Sequence, residues 1–298
     1  MKWDEIPRAE RSRIVRMRRL WATRSPRTFT EKVRYKMLRD HRPLIVTFAD
    51  KAAVRAHVAA LVGERVLPRA YAILDDPKRL MDLALPDAAV LKPTHGSGAA
   101  IVISPDAAPD TRLPAASESW VYRHVQPAAA PPEQLVAIGH HWLGQVYGQG
   151  PNREWAYSRV PPRIIVEEFL TTTTGGIPDD YKFFVFHGRC EYVQVDAGRF
   201  GDRTQDFHDR SWRHLPMSGG PAWAVPPPPR PARLAEMIAL AERLGSGTDF
   251  VRVDLYDLGD RIVFGELTSY PAGGDSPFEP ESFDATFGEH WAVPRRYR

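Results

Sequence analysis

Two strand-forming segments joined by a tight polar turn constrain the fold most. Residues 250–256 and 261–267 are rich in apolar and β-branched side chains, and residues 257–260 between them, Asp-Leu-Gly-Asp, are typical of a β-hairpin turn. Apolar residues recur at helical spacing just before them, at residues 233–244, and predict an amphipathic helix. Because strands and helices mix in this way throughout the chain, we expect an α/β or α+β fold.

The composition excludes several classes of protein. The chain has 298 residues, of which 43% are hydrophobic and 26% charged, so it can bury a substantial core. It lacks the run of about 18 apolar residues that a membrane-spanning helix needs, and residues 1–8 are not followed by the apolar segment of a secretory signal. Cys190 is the one cysteine, which excludes an internal disulfide and favours a buried packing role. We therefore expect a soluble cytoplasmic protein.

Basic residues are concentrated at the start of the chain. Residues 1–36 contain 12 Lys and Arg against 4 Asp and Glu, although the net charge of the whole chain is +3. Residues 8–21, in which arginines interleave with apolar residues, are predicted to form a helix. This basic arm is either a solvated helix face or a peripheral contact with an anionic membrane or polymer. We expect no nucleic-acid partner, since no nucleic-acid-binding motif accompanies the charge.

The remaining segments are assigned from periodicity and from the positions of Gly and Pro. Further helices are predicted at residues 30–39, 51–61 and 135–147, the first two capped by Thr30 and Asp50. Strands are predicted at residues 70–74, 88–91, 99–104, 163–166, 181–186 and 191–196, the last two forming a hairpin. Residues 105–135 are expected to be loops around one helix, and the proline-rich residues 221–231 to be extended.

Two carboxylates lie on the hairpin at residues 250–267. If residues 253–256 pair with residues 262–265, Asp254 and Glu266 fall near the ends away from the turn. Hard oxygen ligands of this kind suit Mg²⁺, which takes one or two carboxylates and keeps its other positions for water and phosphate. The pair is therefore a candidate magnesium site, although the hairpin alone favours two ordinary charged residues on a solvated strand face.

Lys92 ends a predicted strand and is followed closely by a glycine-rich loop. Its ammonium group and the backbone N–H groups of Gly96, Ser97 and Gly98 are suited to bind phosphates. The pattern is neither a P-loop nor a dinucleotide fingerprint, and an ordinary turn is the alternative. A second apolar strand ends in acidic residues at 167–168. Backbone groups there can bind the edge of an adenine, and a carboxylate can bind the ribose hydroxyls. The alternative is a strand that ends in two solvated glutamates.

The order of these motifs resembles that of the ATP-grasp superfamily. Their residues are most similar to those of its teichuronopeptide-biosynthesis (TupA-like) family, which is associated with bacterial surface polysaccharide loci. The resemblance covers about residues 25 to 290. The stretches that carry it are residues 28–32, 49–55, 91–98, 153–155, 162–168, 180–186, 194–196, 250–254 and 264–268.

The resemblance implies an ATP-grasp fold in which two α+β lobes hold ATP between them. The implied division is an N-terminal helical segment at residues 1–65, a small lobe with a glycine-rich lid at residues 66–170, and a C-terminal lobe with the metal-binding hairpin at residues 171–298. The implied cofactors are ATP and Mg²⁺, with Mn²⁺ as an alternative.

Individual roles are also implied by the resemblance. Lys92, Lys182, Arg252 and His95 would be catalytic, and Asp254, Glu266 and Thr268 would hold the metal, Thr268 standing where the superfamily usually has Asn. The nucleotide would contact Lys92, His95, Gly96, Ser97, Gly98, Glu167, Glu168, Phe169, Leu170 and Lys182. The candidates for binding the acid substrate lie near the expected cleft and are Gln194, Arg199 and Arg203. Arginine binds carboxylates bidentately, and surface salt bridges are the alternative.

The family chemistry implied is carboxylate–amine ligation through an acyl phosphate, in surface polysaccharide or secondary metabolite biosynthesis. The substrates would be a small-molecule or glycan carboxylate and an amine. Two alternatives remain open: a kinase of the same fold that phosphorylates a hydroxyl of a small molecule or sugar, and a nucleotide-binding module without turnover.

Overall fold

The structure is a computed structural model, and it describes residues 24–148, 154–199 and 201–298. The first described helix, α1 (Phe29–Arg39), starts at a capping box. The Thr28 hydroxyl accepts from the Glu31 backbone N–H at 3.3 Å, and the Glu31 carboxylate accepts from the Thr28 N–H at 3.3 Å. Thr30, which the sequence predicted as the cap, instead donates its hydroxyl to Asp284 at 2.9 Å. The predicted helix at residues 8–21 lies outside the described residues.

Two short helices follow α1 and lead to the small lobe. They are α2 (Pro43–Ala49), which was not predicted, and α3 (Ala53–Val62). Asp50 was predicted to cap α3, but the N-cap is Ala52, and the Asp50 carboxylate accepts from the Ala52 N–H at 2.8 Å in the turn before the helix.

The small lobe is a five-stranded sheet in the order β1-β5-β2-β3-β4, with one long helix. Its elements are β1 (Ala70–Leu74), β2 (Ala89–Pro93), β3 (Ala100–Ile103), β4 (Tyr122–Val125), α4 (Pro132–Gly144) and β5 (Ile164–Glu168). Only the β3–β4 pair is parallel among these described strands. Helix α4 buries an apolar stripe, including Leu135, Ile138 and Trp142, in the core of this lobe.

The large lobe is a six-stranded antiparallel sheet in the order β11-β10-β6-β7-β8-β9. Its elements are β6 (Asp180–Phe186), β7 (Arg189–Ala197), β8 (Thr204–Asp209), β9 (His214–Leu215), α5 (Leu234–Gly245), β10 (Phe250–Asp257), β11 (Ile262–Thr268) and α6 (Ser282–Glu289). The two predicted hairpins are confirmed. Strands β4, β8 and β9 and helix α6 were not predicted, because residues such as those of β8 (Thr-Gln-Asp-Phe-His-Asp) are too polar to read as a buried strand.

The alternation of side chains along β6 and β10 gives the large sheet two different faces. Phe183 and Val253 point to one face, which packs against α3 and α5 in the lobe's main core. Phe184 and Phe250 point to the other, where they join a second, aromatic core with α1 and α6. Further along that second face the same alternation presents polar residues, which face the small lobe. The sheet is thus covered by helices at one end of this face and open to a cleft at the other.

The observed architecture confirms the prediction of mixed helices and strands. The strands of the two sheets fall within the predicted ranges 66–170 and 171–298, and the boundaries themselves remain predictions. Cys190 is a buried free thiol, and burial raises its pKa. Within the described ranges, no helix has the length and apolar character required to span a bilayer.

A buried histidine on β8 predicts how stability depends on pH. His208 is 1% exposed and stacks on Trp212 with ring centroids 4.2 Å apart. Burial, and then the charge of nearby His214, lower the pKa of His208 to about 4, whereas an unfolded histidine has a pKa of about 6.5. As the pH falls from about 6.5 to 4, the unfolded state takes up a proton that the folded state does not, so about 3 kcal/mol of stability is lost.

Between about pH 7 and pH 4, His208→Phe is expected to lose about 3 kcal/mol less stability than the wild type. Denaturant unfolding at both pH values measures this difference. His140→Phe, at an exposed position on α4, is the control and should leave the pH dependence as in the wild type. An unchanged pH dependence in His208→Phe would show that the histidine protonates while folded.

Candidate functional site

A cleft of about 820 Å³ separates the polar end of the large sheet from the small lobe. The glycine loop after β2, the end of β5 and the strands β6, β7, β10 and β11 all contribute to its walls. The predicted site residues that line it are Lys92, Ser97, Gly98, Glu167, Glu168, Phe169, Leu170, Lys182, Gln194, Arg199, Arg203, Arg252, Asp254 and Glu266. Tertiary structure therefore brings together side chains spread over more than half of the sequence.

The two carboxylates of the hairpin are directly opposite each other in the sheet. Asp254 pairs with Glu266, whereas the sequence-based register would have offset them. The predicted register was wrong by one residue at the turn, where Tyr256 pairs with Val263, and a β-bulge between Asp254 and Leu255 shifts the pairing by one more. Gly265 lies at this bulge, where a Cβ atom would be 3.1 Å from the Asp254 carbonyl oxygen. The bulge thus places both carboxylates on the cleft face.

Cations surround this carboxylate pair. Arg252 donates to both Asp254 oxygens at 2.7 Å and to Glu266 Oε1 at 2.8 Å, and Lys182 donates to Asp254 Oδ2 at 2.9 Å. Burial raises the pKa of Asp254 against the pull of these cations. At Glu266, whose side chain is 39% exposed, the charges of Arg252, Lys182 and Lys51 outweigh burial and lower the pKa to about 2. Glu266 is therefore an anion that faces the cleft at any physiological pH.

Thr268 lies next to this cluster and outside the cleft wall. Its hydroxyl donates to Glu266 Oε1 at 2.7 Å and accepts from Arg252 at 3.2 Å. In the described part of the chain, no group of three or more His, Cys, Asp and Glu residues is arranged to hold a metal ion. The protein thus offers two carboxylates, and Thr268 orients one of them.

The small-lobe side of the cleft carries a second set of cations. Lys92 Nζ is 3.1 Å from Glu167 Oε2, and Arg55 is 3.1 Å from the other oxygen of the same carboxylate. The partly buried ammonium of Lys51 donates to the Gly96 carbonyl oxygen. Burial, together with the charge of Lys92, lowers the pKa of Lys51. No ion pair between Lys51 and a carboxylate is present in the described residues.

Sequence reasoning left Lys51 and Arg55 without a role, although both belong to the quoted stretch at residues 49–55. The structure places both side chains in the cleft wall, at the start of α3. No local pattern could show this, because Lys92, the first predicted cleft residue in the chain, comes about 40 residues after Lys51. The structure also places three residues in the cleft wall that were not predicted as site residues: Asp180, Asp196 and Gln205.

The glycine loop is held from the side away from the cleft. Trp120 Nε1 donates to the Ser97 carbonyl oxygen at 3.1 Å, and a Cβ atom at Gly96 would be 2.2 Å from the Trp120 ring. Gly98 has a φ of +83°, which favours glycine. Neither His95 nor Gly96 lines the cleft.

His95 was predicted to act at the site, and the structure corrects this placement. Its ring is 1% exposed, and Nε2 is hydrogen-bonded to the Trp142 carbonyl oxygen at 3.0 Å in the core of the small lobe. Burial lowers its pKa, so the ring is neutral. The side chain turns inward because the loop leaves β2 with Thr94 and His95 buried against α4 and the neighbouring strand. His95 therefore supports the loop from behind.

The end of β5 connects the two lobes. Glu168 accepts from the Arg69 backbone N–H at 2.8 Å and from the Arg261 guanidinium of the large lobe at 2.6 Å. Phe169 packs on a small apolar cluster with Val90 and Val102 on the cleft side of the small sheet. The segment at residues 167–170, called here the hinge, thus combines an apolar wall with contacts to both lobes.

The far end of the cleft is a buried polar network on β7 and β8. Gln194 and Gln205 both donate their amide N–H groups to Asp196 Oδ1, at 3.0 and 2.8 Å. Because a carboxylate only accepts, these bonds orient each amide oxygen away from Asp196. Gly219 leaves room for one of them, since a Cβ there would be 2.3 Å from the Gln205 oxygen.

The two predicted substrate arginines are engaged with the protein. Arg199 donates to Asp180 at 2.8 Å and to the Tyr256 hydroxyl at 3.3 Å, both within the large lobe. Arg203, 56% exposed, is 3.3 Å from Asp196. The sequence left open whether these arginines bind substrate or form surface salt bridges, and here both form salt bridges. The salt bridge of Arg203 is the longer one.

With this geometry established, known proteins provide a comparison. The family model described as TupA-like ATP-grasp matches residues 146–292. The resemblance to the TupA-like ATP-grasp family is thereby confirmed. The TupA-like match covers β5 and the large lobe, with Lys182, Arg252, Asp254 and Glu266, and it begins after the glycine loop. No curated protein sequence is significantly similar to the chain.

Solved structures are similar at low sequence identity. The ATP-grasp ligase PsnB with a minimal precursor is 12% identical over 76% of this chain and 54% of that one, with a TM-score of 0.40. The D-alanine–D-alanine ligase of Bacillus anthracis with ATP is 14% identical over 80% and 60%, with a TM-score of 0.40. The L-amino acid ligase of Bacillus licheniformis is 11% identical over 78% and 46%, with a TM-score of 0.42. The chain thus spans about half the length of the first of these.

Proposed function

We propose that the protein is an ATP- and Mg²⁺-dependent carboxylate–amine ligase that forms an amide. The observation that carries the proposal is the cross-strand pair of Asp254 and Glu266, which faces cations of both lobes across one cleft. The match to the TupA-like ATP-grasp family over the same strands supports it. In keeping with the resemblance, we assign the product to surface polysaccharide or secondary metabolite biosynthesis.

The cation side of the cleft fits the phosphates of ATP. Lys51 is a desolvated ammonium whose hydrogen bond goes to a neutral carbonyl, so an incoming phosphate oxygen would supply the direct ion pair that it does not form with the described carboxylates. Lys92 stands close enough to lower the pKa of Lys51, and one phosphate chain would relieve the repulsion between them. Backbone N–H groups of the loop at Ser97 and Gly98 would complete the cradle. The hinge at residues 167–170 would hold the adenine beside Phe169.

The anion side of the cleft fits Mg²⁺. Asp254 and Glu266 offer oxygen donors alone, and two carboxylates leave room for phosphate oxygens and water, as Mg²⁺ prefers. Bound there, the ion would neutralise charge on the transferred phosphoryl group. Arg252 and Lys182, which hold the carboxylates in place, would bind phosphate oxygens from the same face.

The reaction needs no nucleophilic side chain. A carboxylate oxygen of the acid substrate attacks the γ-phosphorus of ATP, the bond to the β-phosphate oxygen breaks, and an acyl phosphate and ADP result. The amine nitrogen then attacks the acyl carbon, expels inorganic phosphate and loses a proton. Catalysis therefore consists of alignment and charge neutralisation, which Lys51, Lys92, Lys182 and Arg252 would provide together with Mg²⁺.

The far end of the cleft is assigned to the substrates. The oriented oxygens of Gln194 and Gln205 accept hydrogen bonds, which suits the N–H groups of the amine, and Asp196 keeps both amides in position. Arg203 is the better candidate for the acid substrate, because its contact with Asp196 is long and its side chain is exposed. Arg199, which is paired with Asp180, is the second candidate.

The lysines of the small lobe yield a prediction for nucleotide binding. Lys92→Met and Lys51→Met are each expected to weaken binding of a non-hydrolysable ATP analogue with Mg²⁺ about 10- to 100-fold, the cost of a hydrogen bond to a charged group. Calorimetric titration measures the affinity. Lys78→Met, exposed in the same lobe, is the control. Unchanged affinity in Lys92→Met or Lys51→Met would contradict the placement of that lysine on the phosphates.

The experiment that tests the function is untargeted mass spectrometry of a bacterial metabolite extract incubated with the protein, ATP and Mg²⁺. The Glu266→Gln variant is the control. A product equal to two metabolites joined with loss of water, together with ADP and phosphate, supports the ligase. A phosphorylated metabolite with ADP alone would make the protein a kinase. The absence of any protein-dependent product would favour a nucleotide-binding module.

A further inference from the structure

Four arginines form a surface patch at the end of the large lobe opposite the cleft. The residues after α6 run back along α1, where the Tyr35 hydroxyl donates to the carbonyl oxygens of Pro294 and Arg295 at 3.0 and 3.3 Å. This contact places the last described residues beside the end of α1. The patch, called here the arginine patch, consists of the exposed residues Arg39, Arg295, Arg296 and Arg298.

The charge of the arginine patch is not neutralised by the acids beneath it. Asp40 and Asp249 are both paired with buried Lys36, at 2.8 and 2.5 Å, and Asp40 also accepts from Arg42 at 2.7 Å. Tyr297 ties the same cluster to the C-terminal segment by donating to Asp249 at 2.8 Å. Within the described ranges, no ion pair engages an arginine of the patch. The patch is therefore a group of exposed positive charges without an ion-pair partner among the described residues.

We infer that the arginine patch docks the protein on an anionic lipid surface. Basic residues close to such a surface are attracted to its headgroups, and adjacent apolar groups enter the interface. Leu38, 45% exposed, lies next to Arg39. This exposed apolar side chain beside the arginines favours a lipid surface over a hydrophilic polyanion.

The position of the patch keeps docking separate from the cleft. Asp249, to which Tyr297 is bonded, directly precedes β10, whereas Asp254 and Tyr256 of that strand line the cleft. Five to seven residues of extended chain correspond to about 17 to 23 Å. The cleft would thus stay open to substrates while the patch contacts headgroups, and the inference does not depend on the proposed reaction.

Vesicle co-sedimentation of the full chain tests the inference. The wild type should bind phosphatidylcholine vesicles that contain about one third phosphatidylserine, and not pure phosphatidylcholine, at low salt. The triple variant R295Q/R296Q/R298Q should bind at least about 10-fold and up to about 100-fold more weakly, since each arginine contributes roughly fivefold. Its thermal unfolding should match the wild type, because Tyr297 is retained.

A charge-matched variant decides whether the patch or the total charge is responsible. R79Q/R112Q/R123Q removes three exposed arginines from the small lobe and should bind vesicles as the wild type does. An equal loss in both triple variants would overturn the inference. Failure of the wild type to bind anionic vesicles would also overturn the inference. Binding to dextran sulfate without binding to vesicles would count as such a failure.

Discussion

Glu266→Gln is expected to lower Mg²⁺-dependent turnover about 100- to 1,000-fold while leaving the fold intact. The amide keeps the size of the side chain and a hydrogen-bond acceptor for Arg252 and Thr268, but it removes the charge that would bind the metal. Turnover is measured on the substrates found by the metabolite screen. Binding of Mn²⁺ in the presence of ADP, followed by its paramagnetic signal, is a second measurement that does not depend on turnover.

Two controls accompany this variant. Glu236→Gln neutralises an exposed glutamate that pairs with Arg233 on α5, so turnover should be unchanged. Thermal unfolding of Glu266→Gln should be close to that of the wild type, since Asp254 still neutralises Arg252. Wild-type turnover and Mn²⁺ binding in Glu266→Gln would remove the carboxylate pair from the proposed metal site.

Phe29→Ala is expected to lower the free energy of unfolding by about 3 to 5 kcal/mol. Phe29 on α1 is fully buried and meets six aromatic rings with centroids 5.1 to 6.1 Å away. Removing it leaves a cavity between α1, α6 and the aromatic end of the large sheet. Urea unfolding measures the loss.

Phe283→Ala on α6 is the matched control, because the same truncation is made in the same aromatic core at a partly buried position. Its loss of stability should be clearly smaller than that of Phe29→Ala. Equal losses would show that α1 does not depend on Phe29 for its packing.

Local patterns predicted the parts of the fold that local chemistry controls. The hairpins were found because strand-forming runs flank short polar turns, and α5 was found because its apolar stripe has helical spacing. Strand β8 was missed because five of its six residues are polar, one of them Gln205 in the cleft wall, so the strand lacks the apolar pattern of a core strand. Helix α6 was missed because its eight residues are mostly small or polar.

The placement of individual site residues depended on contacts that sequence patterns do not contain. His95 follows the pattern of a loop residue, yet its burial against α4 is set by packing 47 residues away. The pairing of Asp254 with Glu266 required a bulge, because a hairpin without it would offset the carboxylates. Lys51 enters the cleft because α3 packs on the large sheet, a contact between elements far apart in the chain.

The sequence by itself determined the class of fold, the two central hairpins and most of the candidate cleft residues. Turn chemistry and side-chain alternation act over a few residues, so they can be recognised without knowing the neighbours, whereas the candidate cleft residues came from the order of the charged motifs along the whole chain and the family that it resembles. The tertiary structure alone decided which charges face one another, which arginines are already paired, and that Lys51 lies among the cleft residues while His95 does not. Those outcomes follow from burial and from long-range pairing, which depend on how all the elements pack together.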